Sequence, residues 1–174
     1  MPVNPEILEV VRRAQQLEKD YRKLTGRPLG VTGEVGEVLA VHLLDLSPAE
    51  VRNPGYDAFE MKDGGNPCRY QIKTRVLSPS RARTLRSGRK PAGRAGSIDR
   101  HKPWDAILMV LLDENIEVIA IYQADRPSIE AALDKSESRA RKRGALPISE
   151  IISEATVRWK RPSSLGLNGP LNER

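Results

Sequence analysis

Apolar residues recur at helical spacing from the start of the chain: Ile7, Val11, Ala14, Leu17, Tyr21 and Leu24. They predict a helix. Asn4-Pro5-Glu6 opens it, since Asn caps, Pro suits the first helical position and Glu complements the dipole. Gly26 and Pro28 end it. A second helix begins near Thr32 with Val35, Val38, Leu39 and Leu43 as its buried stripe, and Ser47-Pro48 closes it.

The period then changes from helical to alternating. Tyr56 to Met61 and Cys68 to Val76 read as two strands around the turn signal Asp63-Gly64-Gly65-Asn66-Pro67. In the second strand Cys68, Tyr70, Ile72, Thr74 and Val76 face one way, and Arg69, Gln71, Lys73 and Arg75 the other. From Ser78 to Pro103 no apolar period is visible, and the stretch is too long for a plain connector. Ala106 to Leu112 is almost wholly apolar, as in a strand buried on both faces. Glu117 to Gln123 reads as the next strand. A helix follows from Pro127 through Ile129, Ala132 and Leu133 into a charged stretch ending at Gly144. A short helix from Ile148 to Ala155 precedes Val157-Arg158-Trp159. Helices at both ends of a block of strands predict an α/β fold, a sheet covered on two faces. One domain over residues 1–161 and a disordered tail over 162–174 are expected.

Composition narrows the function. The chain of 174 residues has a formal net charge of +6 and a pI near 9.7, which favours polyanionic partners. Much of the charge is local: Arg81, Arg83, Arg86, Arg89, Lys90, Arg94, Arg100 and Lys102 stand against Asp99 alone between Ser78 and Pro103. With Arg75 and His101 they form a candidate nucleic-acid interface, and Lys135 to Arg143 is a secondary one. The single cysteine, Cys68, excludes an intrachain disulfide, and its alternation assigns it to the core. No CxxC or paired His supports structural zinc. No apolar run spans a bilayer and no secretory signal is visible, so a cytoplasmic protein is expected.

The hairpin carries the chemistry. Folding the chain back near Gly65 sets Asp57 opposite Lys73, with Gln71 on the diagonal. A lysine turned toward a carboxylate beside a buried sheet is costly unless it has a task. Phosphodiester hydrolysis supplies one. The Asp57 carboxylate, the Gln71 side-chain carbonyl and the Ile72 backbone carbonyl offer a hard divalent cation oxygen ligands. Lys73 would orient the attacking water or stabilise charge on the phosphate. Glu34 and Glu37, three apart on the second helix, add a further acid if that helix packs beside Asp57; Glu37, next to Val38 and Leu39, is preferred.

Gly33 to Glu37 (GE-x-GE), Pro54-Gly55-Tyr56-Asp57 and Tyr70-Gln71-Ile72-Lys73-Thr74 together resemble the PD-(D/E)xK, or restriction-endonuclease-like, nuclease superfamily. The resemblance covers roughly Val31 to Gln123. It implies a mixed sheet flanked by helices and a Mg²⁺-dependent endonuclease, with Mn²⁺ as a substitute. Asp57 would be the invariant metal ligand, Lys73 the catalytic lysine and Glu37 the acid of the core's first helix. Gln71 departs from the pattern, since most members carry an acid in its place; Gln occurs in some active ones, including transposon-end endonucleases. DNA is the expected substrate and a homodimer the expected assembly for double-strand cleavage. The competing reading is a nucleic-acid-binding module of the same fold that no longer cleaves. A third, a small-molecule or protein-binding α/β domain, leaves the convergent Asp, Gln and Lys unexplained.

Overall fold

The hairpin lies within a six-stranded mixed sheet in the computed structural model, which describes residues 3–50, 53 and 55–162. The strands lie side by side in chain order: β1 (Ser47–Pro48), β2 (Ala58–Met61), β3 (Pro67–Val76), β4 (Ala106–Leu112), β5 (Val118–Asp125) and β6 (Thr156–Lys160). Among the described residues only the β3–β4 pair is parallel. A parallel pair requires a long crossover, and the basic stretch is that crossover.

Strand β4 explains the layering. Ile107, Met109 and Leu111 point into one core, and Ala106, Leu108, Val110 and Leu112 into the other. The first core is closed by α3 (Pro79–Arg86), α4 (Arg126–Asp134) and α6 (Ile148–Ser153), through Ala82, Leu85, Ile129, Leu133 and Ile151. The second is closed by α2 (Thr32–Leu43), with Val35 and Leu39, and by Val11 of α1 (Pro5–Thr25). A one-turn helix, α5 (Arg139–Lys142), links α4 to α6. The molecule is thus α/β, with a mixed sheet flanked by helices. Among the described residues no helix is long and apolar enough to cross a membrane.

Four expectations change. The basic stretch is not structureless: α3 forms within it, and Pro91, Ala95 and Ile98 are buried beyond it. Its apolar residues are too few and too irregularly spaced to register as a period. Ser47-Pro48 pairs with Phe59 and Ala58 as a strand, and Val157-Arg158-Trp159 belongs to the edge strand β6. Strand β2 begins at Ala58 rather than Tyr56.

The fourth change concerns α1. Its ends are as expected: the Asn4 side chain accepts from the Glu6 amide at 2.9 Å, and Gly26 adopts the left-handed conformation. Its apolar stripe, however, is divided: Val11 and the half-buried Ala14 pack on the second core, while Ile7, Leu17, Tyr21 and Leu24 stay exposed. The buried positions are Val11, Gln15 and Glu18. Gln15 Nε2 donates to the Ile116 carbonyl at 2.6 Å, and Glu18 accepts from the Leu29 amide at 2.8 Å and from Arg22 at 2.5 Å. Polar bonds flank the apolar contacts of Val11 and Ala14 that dock this helix. Pro54 and residues 163–174 of the tail expected over 162–174 lie outside the described residues.

Candidate active site

Asp57 stands immediately before β2 and is fixed on three sides. Its amide donates to the Tyr70 carbonyl at 2.8 Å, and its carbonyl accepts from Ala49 at 3.0 Å. Its carboxylate Oδ2 accepts from the Ile72 amide at 2.6 Å. The last is a charge-assisted bond that ties the side chain to the backbone of β3. Backbone N–H and C=O of one strand residue point the same way. The Ile72 carbonyl therefore points toward the edge at which Asp57 sits.

The hairpin register differs from expectation by two residues. Ala58 pairs with Tyr70 and Met61 with Pro67, so Asp57 is level with Gln71 and not with Lys73. The cause lies in the loop. Lys62 donates to Asn66 at 3.1 Å, closing a turn centred on Gly64 rather than Gly65. Lys73 still reaches the site, being two residues on and on the same face as Gln71.

Helix α2 lies close to β3 because Gly36 lacks a side chain: a Cβ there would sit 2.1 Å from Thr74 Oγ1. That approach brings the next residue, Glu37, into the electrostatic field of Asp57 and Lys73. Burial, then Asp57 and Glu34, push the Glu37 carboxyl up to about 7, against the opposing effect of Lys73. Lys73 is shifted the other way. Burial lowers the pKa of its ammonium, Asp57 and Glu37 oppose that, and Lys102 and Arg75 reinforce it. Glu34 is exposed one turn earlier.

Gln71 is buried, and its Oε1 has no hydrogen-bond partner. A buried acceptor left unpaired costs about 1–3 kcal/mol. Among the described residues, no three His, Cys, Asp or Glu side chains gather closely enough to hold a metal ion. The available oxygens are instead two carboxylates, Asp57 and Glu37, with the Gln71 side-chain and Ile72 main-chain carbonyls. Oxygen donors of this kind suit Mg²⁺ or Mn²⁺.

The crossover borders this site. Gly55, buried at φ 150°, leads into Asp57 against Pro103; a Cβ at Gly55 would meet Pro103 Cδ at 2.5 Å. Gly96 runs beside Lys73 and Arg75. Arg75 Nε donates to the Arg94 carbonyl at 2.8 Å. Arg81, Arg83, Arg86, Arg89, Lys90, Arg94, His101 and Lys102 are exposed. On α3 the charged residues lie outside while Ala82 and Leu85 face the core. Arg100 is committed to Asp134 at 2.6 Å, and Lys90 to the Ser153 hydroxyl at 2.7 Å. Two cavities of about 250 and 310 Å³ lie along the crossover and α5, and neither is lined by Asp57, Gln71 or Lys73.

Sequence reasoning missed the contributions of Gly36 and Gly96 to the site, and it placed Lys102 in the basic interface without its effect on Lys73. Only Gly36 had a visible signal, the second glycine of GE-x-GE. A second polar cluster on β2 and β3 also went unseen. Glu60 accepts from Tyr70 Oη at 2.7 Å, from Lys62 at 2.6 Å and from Arg158 at 3.3 Å. Arg158 also donates to Tyr70 Oη at 3.2 Å and to Gln123 Oε1. Comparison with known proteins returns no match, either to a family model or to a curated sequence.

Proposed function

We propose that the chain is a metal-dependent endonuclease that hydrolyses DNA, with the restriction-endonuclease-like architecture its motifs resemble. One observation carries the reading: the buried, unpartnered Gln71 Oε1 lies on the strand whose backbone is bonded to the Asp57 carboxylate. A polar group buried without a partner needs an explanation, and a bound cation is the one this oxygen set supplies.

Asp57, Glu37, Gln71 and the Ile72 carbonyl would hold Mg²⁺ or Mn²⁺, which when bound polarises the scissile phosphate and lowers the pKa of the attacking water. Asp57 is held in place by the Ile72 amide. Lys73, its pKa lowered by burial, orients the water and donates to the phosphate as charge builds on it. Glu37 resists ionisation in this setting, and a cation would offset the cost of its charge. The exposed arginines of the crossover grip neighbouring phosphates. An open site beside a basic surface suits a polymer better than a small molecule.

The test is cleavage of supercoiled and linear DNA with Mg²⁺ or Mn²⁺, with Lys73→Ala as control. Metal-dependent cleavage lost in the variant is the expected result. One observation favours the non-cleaving reading: among the described residues no three acids gather at the site, and a two-acid site would bind metal more weakly than a three-acid one. Salt-dependent DNA binding with no cleavage under either metal would establish that reading instead.

A further inference from the structure

The stripe of α1 that does not face the body is apolar and open. Ile7, Val10, Leu17, Tyr21 and Leu24 are 46, 53, 58, 38 and 85 % exposed. With Ala14, which is half-buried and also packs against the second core, they fall at alternating steps of three and four residues, the a and d positions of a heptad. At 1.5 Å per residue the seam is roughly 26 Å long. Contiguous exposed apolar surface of this kind marks an interaction site. The neighbouring stripe, with Val11, Gln15 and Glu18, is already buried against the body.

We infer that α1 pairs with α1 of a second copy of this chain, antiparallel, through this seam. The charges along its free edge choose both the occupant and the direction. Glu6, Arg13 and Asp20 occupy the same heptad position on the flank away from the buried stripe, and all are exposed. Antiparallel pairing stacks Ile7 on the partner's Leu24, Val10 on the partner's Tyr21 and Ala14 on the partner's Leu17. Arg13 then faces the partner's Asp20, and by symmetry Asp20 faces the partner's Arg13. A parallel pair would instead turn Arg13 toward Glu18, which is buried and already bonded to Arg22 and Leu29. The surface is thus self-complementary under a two-fold axis, as an isologous interface requires. One helix pair is smaller than a standard interface of about 800 Å² per partner, so a micromolar dimer is expected. This inference does not depend on nuclease activity.

Sedimentation velocity on the full chain, from about 1 to about 200 µM, spans a micromolar Kd. The wild type should shift from monomer to dimer across the range. Leu17→Asp and, at the most exposed position, Leu24→Asp should remain monomeric, with far-UV circular dichroism confirming the fold. Arg13→Asp places like charges together twice and should weaken the dimer about tenfold or more. Arg13→Asp with Asp20→Arg restores both pairs and should recover association to within about threefold. A wild type monomeric throughout, or a double variant no better than Arg13→Asp, overturns the antiparallel self-pairing. Cleavage by a strictly monomeric protein would overturn it while leaving the nuclease reading intact.

Discussion

Strands β2 and β3 carry two polar clusters with opposite characters. At one end Glu60, Tyr70, Lys62, Arg158 and Gln123 satisfy one another and tie β2, β3, β5 and β6 together. At the other, Asp57, Glu37 and Lys73 share one electrostatic field, with Gln71 level with Asp57, and they do not satisfy one another: Gln71 Oε1 is unpartnered and Lys73 is held below its ordinary pKa. The two glutamates show the contrast most directly. Burial raises both. At Glu60 the hydrogen bonds of Lys62 and Tyr70 and the charge of Arg158 outweigh it and hold the carboxyl at about 2. At Glu37 the neighbouring carboxylates add to it and push the group up to about 7. A polar network that serves stability is closed, as at Glu60; one that serves chemistry leaves a place for what it binds.

The sharpest test of the comparison exchanges activity for stability between the clusters. Lys73→Ala should lower metal-dependent cleavage by about 10²–10³-fold while leaving the melting temperature unchanged or slightly raised, since it removes a half-buried cation. Arg158→Ala should do the reverse. It strips a donor from Glu60, Tyr70 and Gln123 together and should destabilise by about 2–3 kcal/mol, with normal cleavage per folded molecule. Parallel thermal melts and single-turnover cleavage assays separate the two. Equal loss of both properties in both variants would erase the distinction.

A smaller effect tests the orphaned oxygen. Gln71→Leu keeps the volume and removes the unpartnered acceptor. Without metal it should be neutral or stabilising by about 1–2 kcal/mol. Wild type should gain melting temperature with added Mg²⁺ or Mn²⁺ by preferential binding to the native state, and Gln71→Leu should lose most of that gain. Destabilisation of the metal-free protein by Gln71→Leu would mean that Gln71 is a satisfied structural residue.

The contrast between the clusters also marks what the sequence made legible. β4 was readable because every one of its seven residues is buried, and the alternation of β3 assigned Gln71 and Lys73 to one face. Asp57 was readable as lying beside β3 but not in its register, which a one-residue shift of the Gly64-Gly65 turn decides. The Glu60 cluster was illegible, because it joins residues 60, 70, 123 and 158 through a sheet order that no local pattern encodes. α3 was hidden by its arginines, which carry no period of their own. The stripe of α1 was read correctly as helical, yet periodicity cannot say which partner an apolar face meets. The body of the protein takes only Val11 and Ala14 of the stripe, together with the polar neighbours Gln15 and Glu18, and leaves the rest exposed.

The smallest effect separates the clusters by pH alone. Glu37 has a folded-state pKa near 7, above its ordinary 4.5. Its stabilising contribution is complete below about 4.5 and is lost as pH rises through about 7. Glu60 has a folded-state value near 2, below its ordinary 4.5. Its contribution is present above about 4.5 and is lost as pH falls through about 2. The two windows do not overlap. Glu37→Gln should therefore flatten the stability profile between pH 4.5 and 7 and leave the acid limb alone, and Glu60→Gln should do the converse. Solvent access limits each change to roughly 1 kcal/mol, readable in urea titrations at closely spaced pH. Mg²⁺ adds the deciding measurement. A cation at Asp57 and Glu37 returns the Glu37 carboxyl toward its ordinary range, so the neutral limb should flatten in wild type with metal present while the acid limb persists. If Mg²⁺ moved both limbs, or neither, the open cluster would not be the cation's place.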